Sequence, residues 1–161
     1  MIFITLGSQK FQFNRLLRAV DDLVEQGAVD EPVYAQTGYS DYKPRFYKYK
    51  RFMDHDKFEE AVSRADIVIT HGGTGAIIGA VKKGRKVIAV PRLARYGEHV
   101  DDHQIQLIEE FTEENLIYGI QSCDELGRAV KEIRGMEFAS YKGNSEAIIE
   151  SIGRYIDGCR K

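Results

Sequence analysis

Cysteine is scarce in this chain, with only two in 161 residues, at positions 123 and 159. They form no CxxC pair, which argues against both a disulfide framework and a zinc ribbon. No apolar run approaches the ~20 residues of a membrane span. The start, Met-Ile-Phe-Ile-Thr-Leu-Gly-Ser, lacks a basic segment and a small-residue cleavage site, so it reads as a first strand and not as a signal peptide. Charge of one sign is also missing: 23 basic and 25 acidic residues leave a net charge of -2, which gives no global electrostatic case for nucleic acid. These absences lead to the expectation of a cytoplasmic chain, for which a partner is a route to a membrane.

Hydrophobic residues make up 43% and charged residues 30%, the balance of a globular domain. The length suits one domain, 1–161, and is about half of what two nucleotide-binding-type domains need. Strand and helix patterns alternate along the chain. Ile2 to Leu6 is a β-branched apolar run ending at Gly7-Ser8. Asn14 is positioned to cap a helix with Leu16, Leu17, Val20, Leu23 and Val24 on one stripe, stopped by Gly27. Val33 to Gln36 is a second strand and Tyr47 to Met53 a third, followed by a helix introduced by Asp56.

Ile67 to Thr70 and Val87 to Val90 read as buried strands on either side of a short helix through Ile77, Ile78 and Val81. A helix from about Asp101 turns Ile105, Ile108 and Phe111 inward. Leu116 to Ile120 is a sixth strand. Ser122 and Glu125 form a capping box ahead of Leu126, Ala129, Val130 and Ile133. A last helix spans about 146–158. Strands buried on both faces and alternating with helices predict an α/β fold with a doubly wound parallel sheet, whose ligands bind beyond the carboxyl ends of the strands.

Three segments fall at that edge. In Ile67-Val68-Ile69-Thr70-His71-Gly72-Gly73-Thr74-Gly75 a buried strand runs through glycines into a helix start. Glycines let a backbone approach an anion, and free amides at a helix start bind phosphate oxygens. The same glycines also serve tight strand–helix packing. No Walker A lysine follows, and neither this turn nor Gly7-Ser8-Gln9-Lys10 has dinucleotide-fingerprint spacing. The second segment runs from Pro91 to Gln104 and concentrates Arg92, Arg95, Glu98, His99, Asp101, Asp102 and His103. It is equally a solvated loop with an acidic helix start. His99 and His103 stand four apart, but no HExxH and no third ligand at recognised spacing accompany them, so no metal is expected. The third segment is Gln36-Thr37-Gly38-Tyr39-Ser40-Asp41-Tyr42, or equally a surface turn.

Together with Ile2-Phe3-Ile4-Thr5-Leu6-Gly7-Ser8 and Val90-Pro91-Arg92, these segments resemble a known family. The chain is similar to the single-domain glycosyltransferase subunits of the Alg13-like and PssE/EpsF type, related to the donor-binding C-terminal half of family 28 GT-B glycosyltransferases. The resemblance implies a Rossmann-like domain that binds a UDP-sugar and needs no cofactor. It implies that Gly72, Gly73, Thr74 and Gly75 hold the diphosphate with His71 stabilising the leaving group. Asp102, His103 and Gln104 then lie where relatives touch the sugar. The end of the third strand at Phe52-Met53 lies where relatives hold the base by backbone contacts, and Gly7, Ser8, Gly38 and Arg92 belong to the same matching edge. The glutamate with which relatives bind ribose is replaced by Gly79, and Glu98 is the candidate substitute.

The implied reaction is inverting transfer to a lipid-linked glycan in exopolysaccharide or capsule synthesis. Its general base would lie on a membrane-anchored Alg14/PssD/EpsE-like partner. The 146–158 helix is one docking candidate for that partner, or else covers the sheet. The basic, aromatic run 42–51 is the other, although it also reads as a loop and edge strand. Two further classes compete: a non-catalytic nucleotide-sugar-binding regulatory subunit, and a free-standing hydrolase or epimerase-like enzyme using His71, His99 or His103.

Overall fold

A computed structural model of the protein describes residues 1–140. The predicted 146–158 helix and Cys159 lie outside them. Six parallel strands form one sheet in the order β3-β2-β1-β4-β5-β6. They are β1 (Ile2–Thr5), β2 (Val33–Gln36), β3 (Lys48–Lys50), β4 (Ile67–His71), β5 (Lys86–Val90) and β6 (Tyr118–Gly119). The helices are α1 (Asn14–Glu25), α2 (His55–Arg64), α3 (Thr74–Lys82), α4 (Gln104–Glu113) and α5 (Leu126–Ile133). The order reverses between β1 and β4, which pair in register from Ile2–Ile67 to Thr5–Thr70. Such a reversal leaves a crevice at the carboxyl ends of the strands, the doubly wound arrangement expected.

Side chains alternate across the strands and divide the core in two. Ile2, Ile4, Ile67, Ile69 and Ile88 meet Leu16, Leu17 and Val20 of α1 and Leu126, Ala129 and Ile133 of α5. On the other face Phe3, Val68, Val87 and Ala89 meet Ala61 and Val62 of α2, Ile77 and Val81 of α3, and Leu107, Ile108 and Phe111 of α4. The central strands are thus covered on both sides, which is why they read as continuous apolar runs.

Several boundaries differ from the sequence expectation. The third strand is Lys48–Lys50, all exposed, and not 47–53. Among the described residues it pairs only with β2 at the sheet's edge, so no burial extends it. Phe13, not Asn14, occupies the N-cap of α1. The Asn14 side chain instead donates to Asp41 Oδ1 at 2.5 Å and accepts from the Asp41 and Tyr42 amides. Asp54 caps α2 in place of Asp56, accepting from Lys57 N at 2.9 Å. α4 starts at Gln104, three residues later than expected, and buries Gln104, Leu107, Ile108 and Phe111 while Ile105 is half-buried. The sixth strand shrinks to two residues. The Ser122–Glu125 capping box is present and closes a 3-10 turn that leads into α5.

Candidate functional site

Because β1, β4 and β5 run parallel, the segments following them leave the sheet at one edge. His71, the last residue of β4, is 5% exposed and sits between two glycine backbones. A Cβ on Gly7 would lie 2.7 Å from His71 Nε2, and one on Gly73 would lie 2.2 Å from Cε1. Gly7 also has φ +74°, a conformation that side chains resist, so only glycine fits there. A Cβ on Gly38 would stand 3.2 Å from the Gly7 carbonyl, which brings the segment after β2 to the same place. Burial, then the positive charge of Arg92, then His99, push the His71 imidazole down to about 3. At neutral pH it is an uncharged ring, able to offer one N–H and no cation.

α3 begins immediately after this ring, with Gly73 as N-cap and no side-chain cap. The first-turn amides of Thr74, Gly75 and Ala76 therefore have no acceptor in their own helix. The Thr74 hydroxyl is buried and has no hydrogen-bond partner among the described residues. The Gly72 amide is different: it donates to Gln104 Oε1 at 3.0 Å. Of the four residues expected to hold a diphosphate, Gly72 shapes the turn, while Gly73, Thr74 and Gly75 leave donors over. Gly75 is exposed and has open space beyond it, and so does Gly79.

The charged segment after β5 behaves otherwise. Arg92 is 1% exposed, and its guanidinium donates to the carbonyls of Leu6, Phe11, Gln12 and Glu98. Glu98 is also 1% exposed. Its carboxylate accepts from Arg15 Nε and Nη2, each at 3.0 Å, and from the Leu93 amide at 3.0 Å. The expectation that Glu98 replaces the ribose-binding glutamate is therefore corrected, because its oxygens are committed inside the protein. Arg92 is likewise a structural clamp between the β1 and β5 loops and not a surface cation.

Asp101 and Asp102 precede the α4 helix and do not lie in its first turn. Asp102, exposed, accepts from the Ala94 amide at 2.8 Å. Asp101 Oδ1 accepts from the His103 amide at 3.1 Å and meets the Nδ1 atoms of both His99 and His103. Ligand atoms of His99, Asp101 and His103 lie within 4.8 Å of one another, so these three are the group among the described residues that could hold a metal ion. Burial, then the neighbouring His103, lower the pKa of His99.

Other candidates sit further out. Ser8 is exposed. Phe52 stacks edge-on against Tyr39 with ring centroids 5.2 Å apart, and both are exposed at the carboxyl end of β2 and β3. Met53 turns its side chain into the α2-side core. A cavity of about 560 Å³ opens along the β2–β3 edge, lined by Met1, Pro32, Val33, Tyr34 and 47–50; residues 47–50 belong to the candidate docking run, and none of the candidate donor-binding residues lines it.

Sequence reasoning missed three residues that hold the site together. Arg15 pairs with Glu98 across 83 positions. Thr70 Oγ1 donates to the Thr5 carbonyl at 2.9 Å and ties β4 to β1. Asp21, 1% exposed, accepts from Tyr42 Oη and the Arg45 and Phe46 amides, and so anchors the loop after β2. Asp21 had a visible signal: it stands four residues after Leu17 on the apolar stripe of α1, where a carboxylate needs a buried partner.

A search of protein families matches residues 1–154 to the one described as "Glycosyltransferase family 28 C-terminal domain". The chain belongs to that family. Among curated relatives of this family 28 domain is the UDP-N-acetylglucosamine transferase subunit ALG13 of Yarrowia lipolytica. It is 28% identical over 99 residues, which cover 60% of this chain and 48% of the relative. The ALG13 subunit of Kluyveromyces lactis is 30% identical over 79 residues, covering 48% and 38%. This chain thus matches half or less of each relative's length.

Solved structures agree on the fold. A glycotransferase of kitacinnamycin superposes with a TM-score of 0.63 at 17% identity, covering 98% of this chain and 39% of that one. MurG of Acinetobacter baumannii gives 0.55 at 15% identity, covering 94% and 49%. The family 28 domain is a Rossmann-like unit like those found in GT-B glycosyltransferases. Among the described residues, no helix is long and apolar enough to cross a membrane.

Proposed function

We propose that this family 28 domain is the donor-binding catalytic subunit of a two-chain inverting glycosyltransferase that takes a sugar from a UDP-sugar. The observation that carries the reading is the α3 start. Three first-turn amides and the buried, unpartnered Thr74 hydroxyl lie beside an uncharged His71 ring. Such donors suit the oxygens of a diphosphate.

As the bond to the anomeric carbon breaks, negative charge grows on the departing diphosphate. Amides already held in place stabilise that charge without rearranging, and the helix dipole acts in the same direction. His71 adds a neutral N–H. The acceptor hydroxyl attacks from the face opposite the leaving group, which inverts the anomeric centre. A general base must take its proton. Among the described residues, the carboxylates of Glu98 and Asp101 near the turn are engaged by internal bonds. The base is therefore assigned to a partner subunit that also carries the acceptor side.

The ALG13 relatives are named as UDP-N-acetylglucosamine transferase subunits, which supports a UDP-linked donor and a partner. The motif resemblance to PssE/EpsF-type subunits supports a lipid-linked glycan acceptor in exopolysaccharide or capsule synthesis, and a cytoplasmic site at the membrane's inner face reached through an Alg14/PssD/EpsE-like partner. The test is transfer from a panel of UDP-sugars to a lipid-linked acceptor by the co-expressed pair. Transfer by the pair and not by either chain alone is expected. Transfer by this chain alone, or none with the pair although UDP binds, refutes the two-chain catalytic reading.

A further inference from the structure

We infer that Gln104 is a positioning residue: it fixes the tautomer of His71 so that the Nε2–H, and not a bare nitrogen, faces the space between Gly7 and Gly73. The functional half of this inference rests on the donor-binding reading above; the tautomer itself does not.

The argument starts from two backbone amides. Gly72 N and Arg92 N both lie 3.0 Å from Gln104 Oε1. A backbone N–H can only donate, so the carboxamide oxygen must be the atom facing them. This removes the usual ambiguity in the orientation of an amide side chain. The NH₂ group is then forced to the other end, where it lies 3.3 Å from His71 Nδ1. An amide NH₂ also only donates, so Nδ1 must accept and carries no proton. An uncharged imidazole has a single proton, which is left on Nε2.

Nε2 is the ring atom nearest a Cβ built on Gly7, at 2.7 Å, and it lies equally close to one built on Gly73. Among the described residues no acceptor reaches it. With the opposite tautomer a lone pair would face an incoming phosphate and repel it. Gln104 is 2% exposed. It therefore acts through His71 and does not itself reach the sugar, as the motif resemblance would have had it. One carboxamide links the turn after β4, the segment after β5 and the imidazole, so the helix start and the ring are set by one side chain.

The test is a long-range proton–nitrogen NMR correlation of the imidazole rings in ligand-free, ¹⁵N-labelled protein at neutral pH, with His71 assigned by the loss of its signals in His71→Gln. Nε2 protonated and Nδ1 bare is expected, whereas the reverse or an even mixture overturns the assignment. Gln104→Glu presents only acceptors, so it should move the proton onto Nδ1. In Gln104→Leu, which presents neither donor nor acceptor, a tautomer mixture is expected. Unchanged signals in either folded variant also overturn it, and the wild-type spectrum decides if both variants unfold. Titration with UDP reads the functional half. Gln104→Glu should bind about tenfold more weakly, the size of one lost hydrogen bond to a charged group. Wild-type affinity with the proton moved would refute the positioning role, while a correct tautomer in a protein that binds no UDP would refute the donor reading and leave the tautomer standing.

Discussion

Two loops leave the same edge of the sheet and behave in opposite ways. The segment after β5 is dense in charge, yet Arg92 and Glu98 are each 1% exposed and bond to carbonyls, amides and Arg15, leaving Arg92 Nε as their one buried atom without a partner among the described residues. The turn after β4 has no charged residue from His71 to Gly75, yet it keeps a buried hydroxyl and a set of helix-start amides unpaired. A charged side chain is expensive to bury and so recruits partners wherever it can. Backbone amides at a helix start cannot recruit within their helix and remain for a ligand. On the proposed function, the charge-rich segment at this edge serves as scaffold and the charge-poor turn as the binding surface.

Substitutions can break that division. The largest effect on binding is expected from Gly73→Val. A Cβ there meets the His71 ring at 2.2 Å, while the backbone φ of -76° suits any residue. Calorimetric titration should show UDP affinity reduced at least about a hundredfold, the loss of two or so charge-assisted bonds, with an unaltered far-UV spectrum. Unimpaired binding would remove the turn from the site.

Glu98→Gln should do the converse. It breaks a bidentate pair with Arg15 whose carboxylate is buried, at a cost of about 3 kcal/mol in urea unfolding. The UDP affinity of the folded protein should stay within about twofold, well under the tenfold step that 1.4 kcal/mol represents. Full stability with lost affinity would mean that the carboxylate serves the ligand after all.

A smaller effect is expected from pH. In the folded protein His71 is held near 3, and in the unfolded chain it titrates near 6.5. Between those values the unfolded state binds more protons, so this group's contribution is complete above about pH 6.5 and is lost as pH falls toward 3. The loss amounts to about 2 kcal/mol by pH 5. Arg92, His99 and Gln104 face the ring, and Arg92, then His99, help burial to depress its pKa. Unfolding curves of wild type and His71→Gln should converge as the pH is lowered through this window. A constant gap between them would mean that the ring is not held neutral by burial.

Much of this was legible in the sequence, for local reasons. The apolar runs at 2–6, 67–70 and 87–90 and the stripe of α1 name their own burial, and the Ser122–Glu125 box is a contact within four residues. The glycine turn was legible because glycine and helix start are adjacent. What stayed hidden depends on distance along the chain. That Glu98 is a scaffold residue follows from Arg15, 83 positions away, and that Gln104 serves the turn follows from Gly72, 32 positions away. Alternation in 47–53 mimics a strand longer than the one that forms, because its lysines and arginine lie at an edge of the sheet. In the charged loop side-chain type is no guide to exposure, because arginine and glutamate bury when their bonds are met.

The central claim is that nucleotide diphosphate sits on the α3 start and not on the charged loop. Backbone amide NMR during a UDP titration tests it most directly. The account predicts progressive shifts at Gly73, Thr74, Gly75 and Ala76 while Leu93 and Glu98 stay nearly fixed. Shifts concentrated at 93–98, with the glycine turn unmoved, would contradict it.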